Sequence, residues 1–311
     1  MPLIVQPGVE NVCASPLTEF RIGIDFGGTK IEGVTLDQRG AVVARERRPS
    51  ETEGGYEHIC SNIALVYSAL VEVLHGRAHL LGMSAPGATG PDGLHRTGNP
   101  ACVNGQPWRA DLQCQLGHAL AIENDGACFA IAEAREGAGR NYNLVFGATL
   151  GTGCGGGIVY RGELVSGRQS RAGEWGHVIV DENGPLCMCG RHGCVQTYIA
   201  GRSLERRYRE QWGVDRSLSD IQNDYLSNDP CAQALMTRFF HEFGLAMANV
   251  VAMLDPDVIV LGGGVSNIEG LYTEGAREMT ALLPAYVTPP PIVRNELGEA
   301  AGALGAAYIG I

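Results

Sequence analysis

Apolar positions along this chain follow two rhythms, one of two residues and one of three to four, and their alternation predicts a layered α/β protein. Phe20 to Asp25 is an apolar run that stops at Phe26-Gly27-Gly28-Thr29-Lys30, and Ile31 to Leu36 resumes it. Ala41 to Arg47 follows beyond a turn at Gln38-Arg39-Gly40, so these three runs predict antiparallel neighbours. From His58 to Leu74, Ile59, Ile63, Val66, Leu70 and Leu74 recur at helical spacing, and Leu80 to Ser84 reads as a buried strand. Ala119 to Ile122 predicts a short strand that delivers Glu123-Asn124-Asp125 to a helix running to about Glu136.

The pattern then begins again. Asn143 to Leu150 predicts a strand, Gly151 to Gly157 a glycine-rich turn, and Ile158 to Tyr160 a returning strand. Two strand, turn, strand units so far apart suggest a duplicated architecture with a cleft between the halves. Cys231 to Leu254 places Leu235, Phe239, Phe243, Met247, Val250 and Leu254 on one helical face. Val258 to Leu261 predicts a strand ending in Gly262-Gly263-Gly264, and Ala300 to Ile309 a closely packed closing helix. The first twenty residues, with Pro2, Pro7, Gly8 and Pro16, read as an irregular leader.

Composition narrows the function classes. The 311 residues suffice for two domains, and 45% hydrophobic against 18% charged residues describes a globular chain without a membrane-length apolar run. A net charge of -11 leaves no basic face for a nucleic-acid backbone. The ten cysteines are scattered and no secretory leader is apparent, so a reducing cytoplasm is expected.

Two kinds of chemistry stand out. Backbone N–H groups in glycine turns can approach phosphate oxygens, and Thr29 and Lys30 would add a hydroxyl and a charge. Asp25 at the preceding strand end is suited to hydrated Mg2+. Gly151-Thr152-Gly153 offers a second cradle, and Gly262-Gly263-Gly264 a flat surface for an adenine or ribose. Three such turns together favour a nucleoside triphosphate cleft. Separately, Cys187-Met188-Cys189 and Cys194, with His177 ten residues upstream of the first cysteine, supply three thiolates and one nitrogen, a closed tetrahedral set for structural zinc. His192 is a rival ligand within the loop. Cys154 and Cys128 read as packing residues, and Cys13, Cys60, Cys102, Cys114 and Cys231 lack ligand spacing.

In order and spacing these motifs resemble the ROK family of sugar kinases, within the hexokinase, actin and heat-shock ATPase superfamily. The likeness runs from about Arg21 to Ala307. It rests on Asp25 to Lys30, Asn124-Asp125, Gly151 to Ile158, Ala172-Gly-Glu-Trp-Gly-His177, Cys187 to Cys194 and Leu254 to Gly264. Gly173 to His177 and Asn104-Gly105-Gln106-Pro107-Trp108 look most like the bacterial fructokinase branch. The short linker from His177 to Cys187 is more like the glucokinases and N-acetylmannosamine kinases.

The resemblance implies a two-domain actin/hexokinase-like (ribonuclease H-like) α/β fold with a central cleft. Its small N-terminal domain would span 20–124, with 298–311 packing back on it, and its large domain 125–297 would carry the zinc loop 173–196. It implies ATP with Mg2+, Asp125 as general base, and Asn99, Asn124, Asp125, Glu174, His177 and Gln196 around a hexose. The expected substrate is fructose, with mannose or glucose also accepted. The alternatives are an N-acetylglucosamine, N-acetylmannosamine or glucose kinase, or a noncatalytic sugar-sensing regulator. Most relatives carry Glu where Gln196 stands, a difference expected to retune hexose choice. A homodimer is also implied.

Overall fold

The computed structural model describes residues 19–311, so the expected leader falls outside the described residues except for its last two positions. Strands β1 (Phe20–Phe26), β2 (Lys30–Leu36) and β3 (Val42–Pro49) form an antiparallel meander. Helix α1 (Tyr56–Glu72) crosses to β4 (His79–Ala85), which lies parallel to β1. A small hairpin of β5 (Ala88–Thr89) and β6 (His95–Arg96) and helix α2 (Trp108–Leu116) precede β7 (Ala121–Asn124), parallel to β4. Helix α3 (Asp125–Arg135) then leads to the second half.

That half begins with the meander β8 (Leu144–Leu150), β9 (Cys154–Tyr160) and β10 (Glu163–Leu164). Helices α4 (Gln196–Ile199), α5 (Gly201–Trp212), α6 (Leu218–Leu226) and α7 (Pro230–Leu254) intervene before β11 (Val258–Gly262), which is parallel to β8. Helix α8 (Glu274–Leu282), strand β12 (Ile292–Arg294) and helix α9 (Ala301–Ile309) complete the chain. The two five-stranded sheets have orders β3-β2-β1-β4-β7 and β10-β9-β8-β11-β12. Corresponding strands pair in the same senses in both, so the repeat suggested by the two glycine turns extends to whole sheets.

Small residues decide how the layers meet. Gly23 in β1 and Gly82 in β4 have no side chain where the backbone of α9 passes at Ala303, Ala306 and Ala307, so the closing helix lies directly on the first sheet. Gly147 and Gly157 open the second sheet to Ala130 of α3, and Gly305 lets α9 approach Cys128. Helix α3 is therefore buried nearly all round, from Gly126 to Ala134. Overpacking at such contacts typically costs about 1–3 kcal/mol.

The buried carboxylate of Glu133 adds a polar tie. It accepts from the backbone N–H groups of Ala138, Glu296 and Leu297, at 2.9, 3.1 and 2.9 Å, joining α3 to the segment before α9.

One expectation is corrected. Gly155, Gly156 and Gly157 belong to β9, not to the turn, which is confined to Gly151-Thr152-Gly153. Their missing side chains serve close packing: Gly156 meets Gly126 of α3 on one side and the Trp175 ring on the other. Among the described residues no helix is long and apolar enough to cross a membrane.

Candidate active site

A cleft of about 490 Å³ opens where β4, β7 and the β8–β9 turn come together. Asn99, Asn124, Asp125, Gly151, Thr152, Gly153, Glu174, Gln196 and Gly263 all line it. Asp125 is the first residue of α3, one step after the strand end at Asn124. Asn124 is the helix cap: its Oδ1 accepts from Gly126 N–H at 2.9 Å, and its Nδ2 donates to the Gly87 carbonyl at 3.3 Å. These two bonds fix the register at which Asp125 enters the cleft. The Asp125 carboxylate also accepts from Gly126 N–H, at 2.8 Å.

The Asp125 side chain is ringed by protein yet open to solvent through the cleft mouth. Desolvation, with smaller contributions from the Asp25 and Glu174 charges, pushes its carboxyl up to about 6, against the pull of the Gly126 N–H. Such a group is mostly ionised at neutral pH while remaining basic enough to take a proton. Burial also raises the carboxyl of Asp25, and the 2.6 Å bond it receives from Ser84 Oγ opposes that rise.

The segment from Gly173 to His177 is pinned against β9. Trp175 Nε1 donates to the Gly155 carbonyl at 2.6 Å, while Gly173 (φ 89°) and Gly176 let the backbone touch Gly156, Gly157 and Cys154. The carboxylate of Glu174 thereby faces the cleft, with Arg171 Nη1 3.5 Å away.

Nearby, ligand atoms of His177, Cys187, Cys189 and Cys194 lie within 4.8 Å of one another. Cys187 Sγ is 3.7 Å from His177 Nδ1, and Cys189 Sγ is 3.7 Å from Cys194 Sγ. His192 stands outside this group, with its ring Nδ1 2.9 Å from the Gly184 carbonyl. Gly190 and Gly193 supply the positive φ values, 85° and 66°, that fold the loop back on itself.

Other expected residues stand off the cleft wall, Asp25 near enough for its charge to act on Asp125. Asp25, Gly27, Gly28, Thr29, Lys30, His177, Gly262 and Gly264 are not on the cleft wall; His177 lines an adjoining surface depression that shares Glu174. Lys30 does not offer a free charge: its ammonium is 2.8 Å from Glu299 and 3.3 Å from Glu32. Gly262 ends β11 against the Phe129 ring, so its lack of a side chain is a packing requirement. Gln196 reaches the cleft but its amide is already bonded to Cys187 Sγ and Cys154 N–H.

Pro86, Gly87, Thr97, Met188 and Thr149 line the cleft and were missed from sequence. Pro86 and Gly87 directly follow the end of β4 and Thr149 is one residue from the end of β8, so strand ends were the available signal.

Sheets of this topology facing one another across a cleft are the hexokinase-like α/β arrangement, and solved structures share it. The ROK hexokinase of Thermus thermophilus superposes with a TM-score of 0.85 at 30% identity, covering 94% of this chain and 97% of that one. A Streptomyces griseus ROK family glucokinase, solved in complex with glucose and AMPPNP, gives 0.75 at 26% identity, covering 94% and 99%. The ROK family profile matches residues 21–311, and the chain belongs to the ROK family. An N-acetyl-D-glucosamine kinase of Vibrio parahaemolyticus is 34% identical over 300 residues, 93% of this chain and 99% of that protein. The expected likeness to fructokinases finds no support in these relatives.

Proposed function

We propose that this chain transfers the γ-phosphate of ATP to the 6-hydroxyl of N-acetylglucosamine, one of the alternatives to fructose left open by the sequence. The observation that carries the choice of sugar is the 34% identity, over 93% of the chain, to a protein named N-acetyl-D-glucosamine kinase. The reaction type is supported by Asp125 and the Gly151–Gly153 turn sharing one cleft.

Asp125 accepts the proton of the 6-hydroxyl as that oxygen attacks the γ-phosphorus and the bond to the ADP oxygen breaks. Phosphoryl transfer asks little covalent help of the protein, so in-line positioning and charge stabilisation dominate. Asn99, Asn124 and Glu174 hold ring hydroxyls by directional hydrogen bonds. The turn N–H groups of Thr152 and Gly153 cradle phosphate oxygens, the Gly151 N–H being given to the Gly153 carbonyl at 2.9 Å.

Mg2+ bound with ATP supplies charge neutralisation on the phosphates. Asp25 suits its water shell, because an adjacent cation offsets the repulsion that Asp25 and Asp125 exert on each other.

The thiolate cluster fits zinc. A Zn–S distance near 2.3 Å implies a tetrahedral S···S edge of about 3.8 Å, close to the 3.7 Å between Cys189 and Cys194. A metal bound there would hold the loop closed, with His177 Nδ1 and the three cysteine sulfurs as its ligands.

Coupled ADP release, with MgATP and each of N-acetylglucosamine, N-acetylmannosamine, glucose, mannose and fructose, tests the proposal. The highest kcat/KM is expected for N-acetylglucosamine. A clear preference for fructose or glucose would reverse the choice of sugar, and no ADP release with any of them would remove the kinase reading.

A further inference from the structure

Gln196 opens α4 two residues beyond Cys194, and its side chain spans the gap between the cysteine cluster and the β8–β9 turn. Its Nε2 donates to Cys187 Sγ at 3.1 Å, and its Oε1 accepts from Cys154 N–H at a long 3.5 Å. The backbone N–H can only donate, so it fixes which end of the amide faces the turn. The approach is close: a Cβ on Gly153 would stand 3.0 Å from Gln196 Oε1, inside ordinary van der Waals contact. On its other side the turn is held by Gly201 N–H, which donates to the Gly151 carbonyl at 2.8 Å.

We infer that Gln196 is a positioning residue that ties the cysteine cluster to the Gly151–Gly153 turn, so that the metal loop sets nucleotide affinity and not only sugar affinity. The inference rests on the reading of that turn as the phosphate cradle. Backbone N–H groups bind phosphate well only when already aimed, because a loose turn loses conformational freedom on binding. An amide is the side chain suited to this tie, since it donates to sulfur at one end and accepts from N–H at the other. A carboxylate at this position could only accept.

The test uses the zinc-loaded protein and calorimetric titration with a non-hydrolysable ATP analogue, beside steady-state KM values for sugar and ATP. Gln196→Ala and Gln196→Glu are expected to weaken analogue binding about tenfold, the lower range for a group supporting a metal ligand. Sugar KM is expected to rise less than the analogue Kd in Gln196→Ala. In both variants zinc should pass faster to a chromogenic chelator.

Gly153→Ala pushes on the same contact from the turn side. It should match the weakening, and adding Gln196→Ala to it should cost little more, as expected of residues acting through one contact. Unchanged analogue affinity with a raised sugar KM in Gln196→Ala would overturn the inference and leave Gln196 a sugar contact alone. If the unsubstituted protein fails to bind the analogue, the phosphate reading falls, and the inference with it.

Discussion

The glycine turns of the two halves, Gly27 to Lys30 and Gly151 to Gly153, close equivalent hairpins in sheets of identical order, yet among the described residues the second lines the cleft beside Asp125 and the first stands off its wall. The first is tied to its own sheet: Gly27 N–H donates to the Lys30 carbonyl, Ser50 bonds to Thr29 and Gly27, and Lys30 is paired with Glu299 and Glu32. The second is braced by elements its counterpart lacks, the cysteine loop through Gln196 and the start of α5 through Gly201. Duplication thus accounts for the scaffold, and the segment between β10 and α7 adds Glu174, the cysteine cluster and Gln196 to one side of it.

The largest effect is expected at Asp125. It begins α3, which packs through Ala127 and Ala130 on glycines of the second sheet, so the proposed base sits with the second turn. Asp125→Ala is expected to lower kcat by about 10²–10⁴-fold, the usual contribution of a general base, with sugar affinity by calorimetry near that of the unsubstituted protein. Near-normal turnover at saturating substrate would remove Asp125 from the role.

Metal removal comes next. Stripping the zinc proposed for the cysteine cluster with a chelator is expected to weaken sugar binding by about tenfold or more, because loss of a structural metal unfolds the loop that carries its ligands. Sugar titrations before and after chelation, and after zinc is restored, measure this. An unchanged Kd would uncouple the loop from the site.

The smallest effect is expected at the first turn. Lys30→Ala should change the KM for ATP by less than about threefold, since it removes a half-buried lysine whose charge is already paired with Glu299 and Glu32. A tenfold rise would show that Lys30 leaves Glu299 for the phosphate, and the two turns would then be functional equals.

The same asymmetry explains what was legible in the sequence. Helices α1 and α7 bury continuous stripes, including Ile59, Ile63, Val66 and Leu70 in the first and Leu235, Phe239, Phe243 and Met247 in the second, and both were evident. Helices α2, α5 and α8 bury few side chains, Trp108 and Leu112 in α2, Leu204 and Tyr208 in α5 and Met279 in α8, so no stripe marked them. Asn124, Asp125 and Glu174 could be found because strand ends and local motifs place them. The pairing of Lys30 with Glu299 joins residues 269 positions apart, and nothing local announces it. Gly155 to Gly157 misled because glycine signals a turn and a close approach alike, and here the approach of α3 and Trp175 is the reason for them.

Asp125 as an ionised base in a crowded cleft is the centre of the account, and the pH dependence of kcat/KM for N-acetylglucosamine addresses it most directly. A carboxyl raised to about 6 is ionised above that pH and protonated below it. Activity is therefore expected to be full at pH 7 to 8, and to fall tenfold per unit once pH drops well below about 6. A profile that stays flat down to pH 4.5, with the protein still folded, would contradict the assignment.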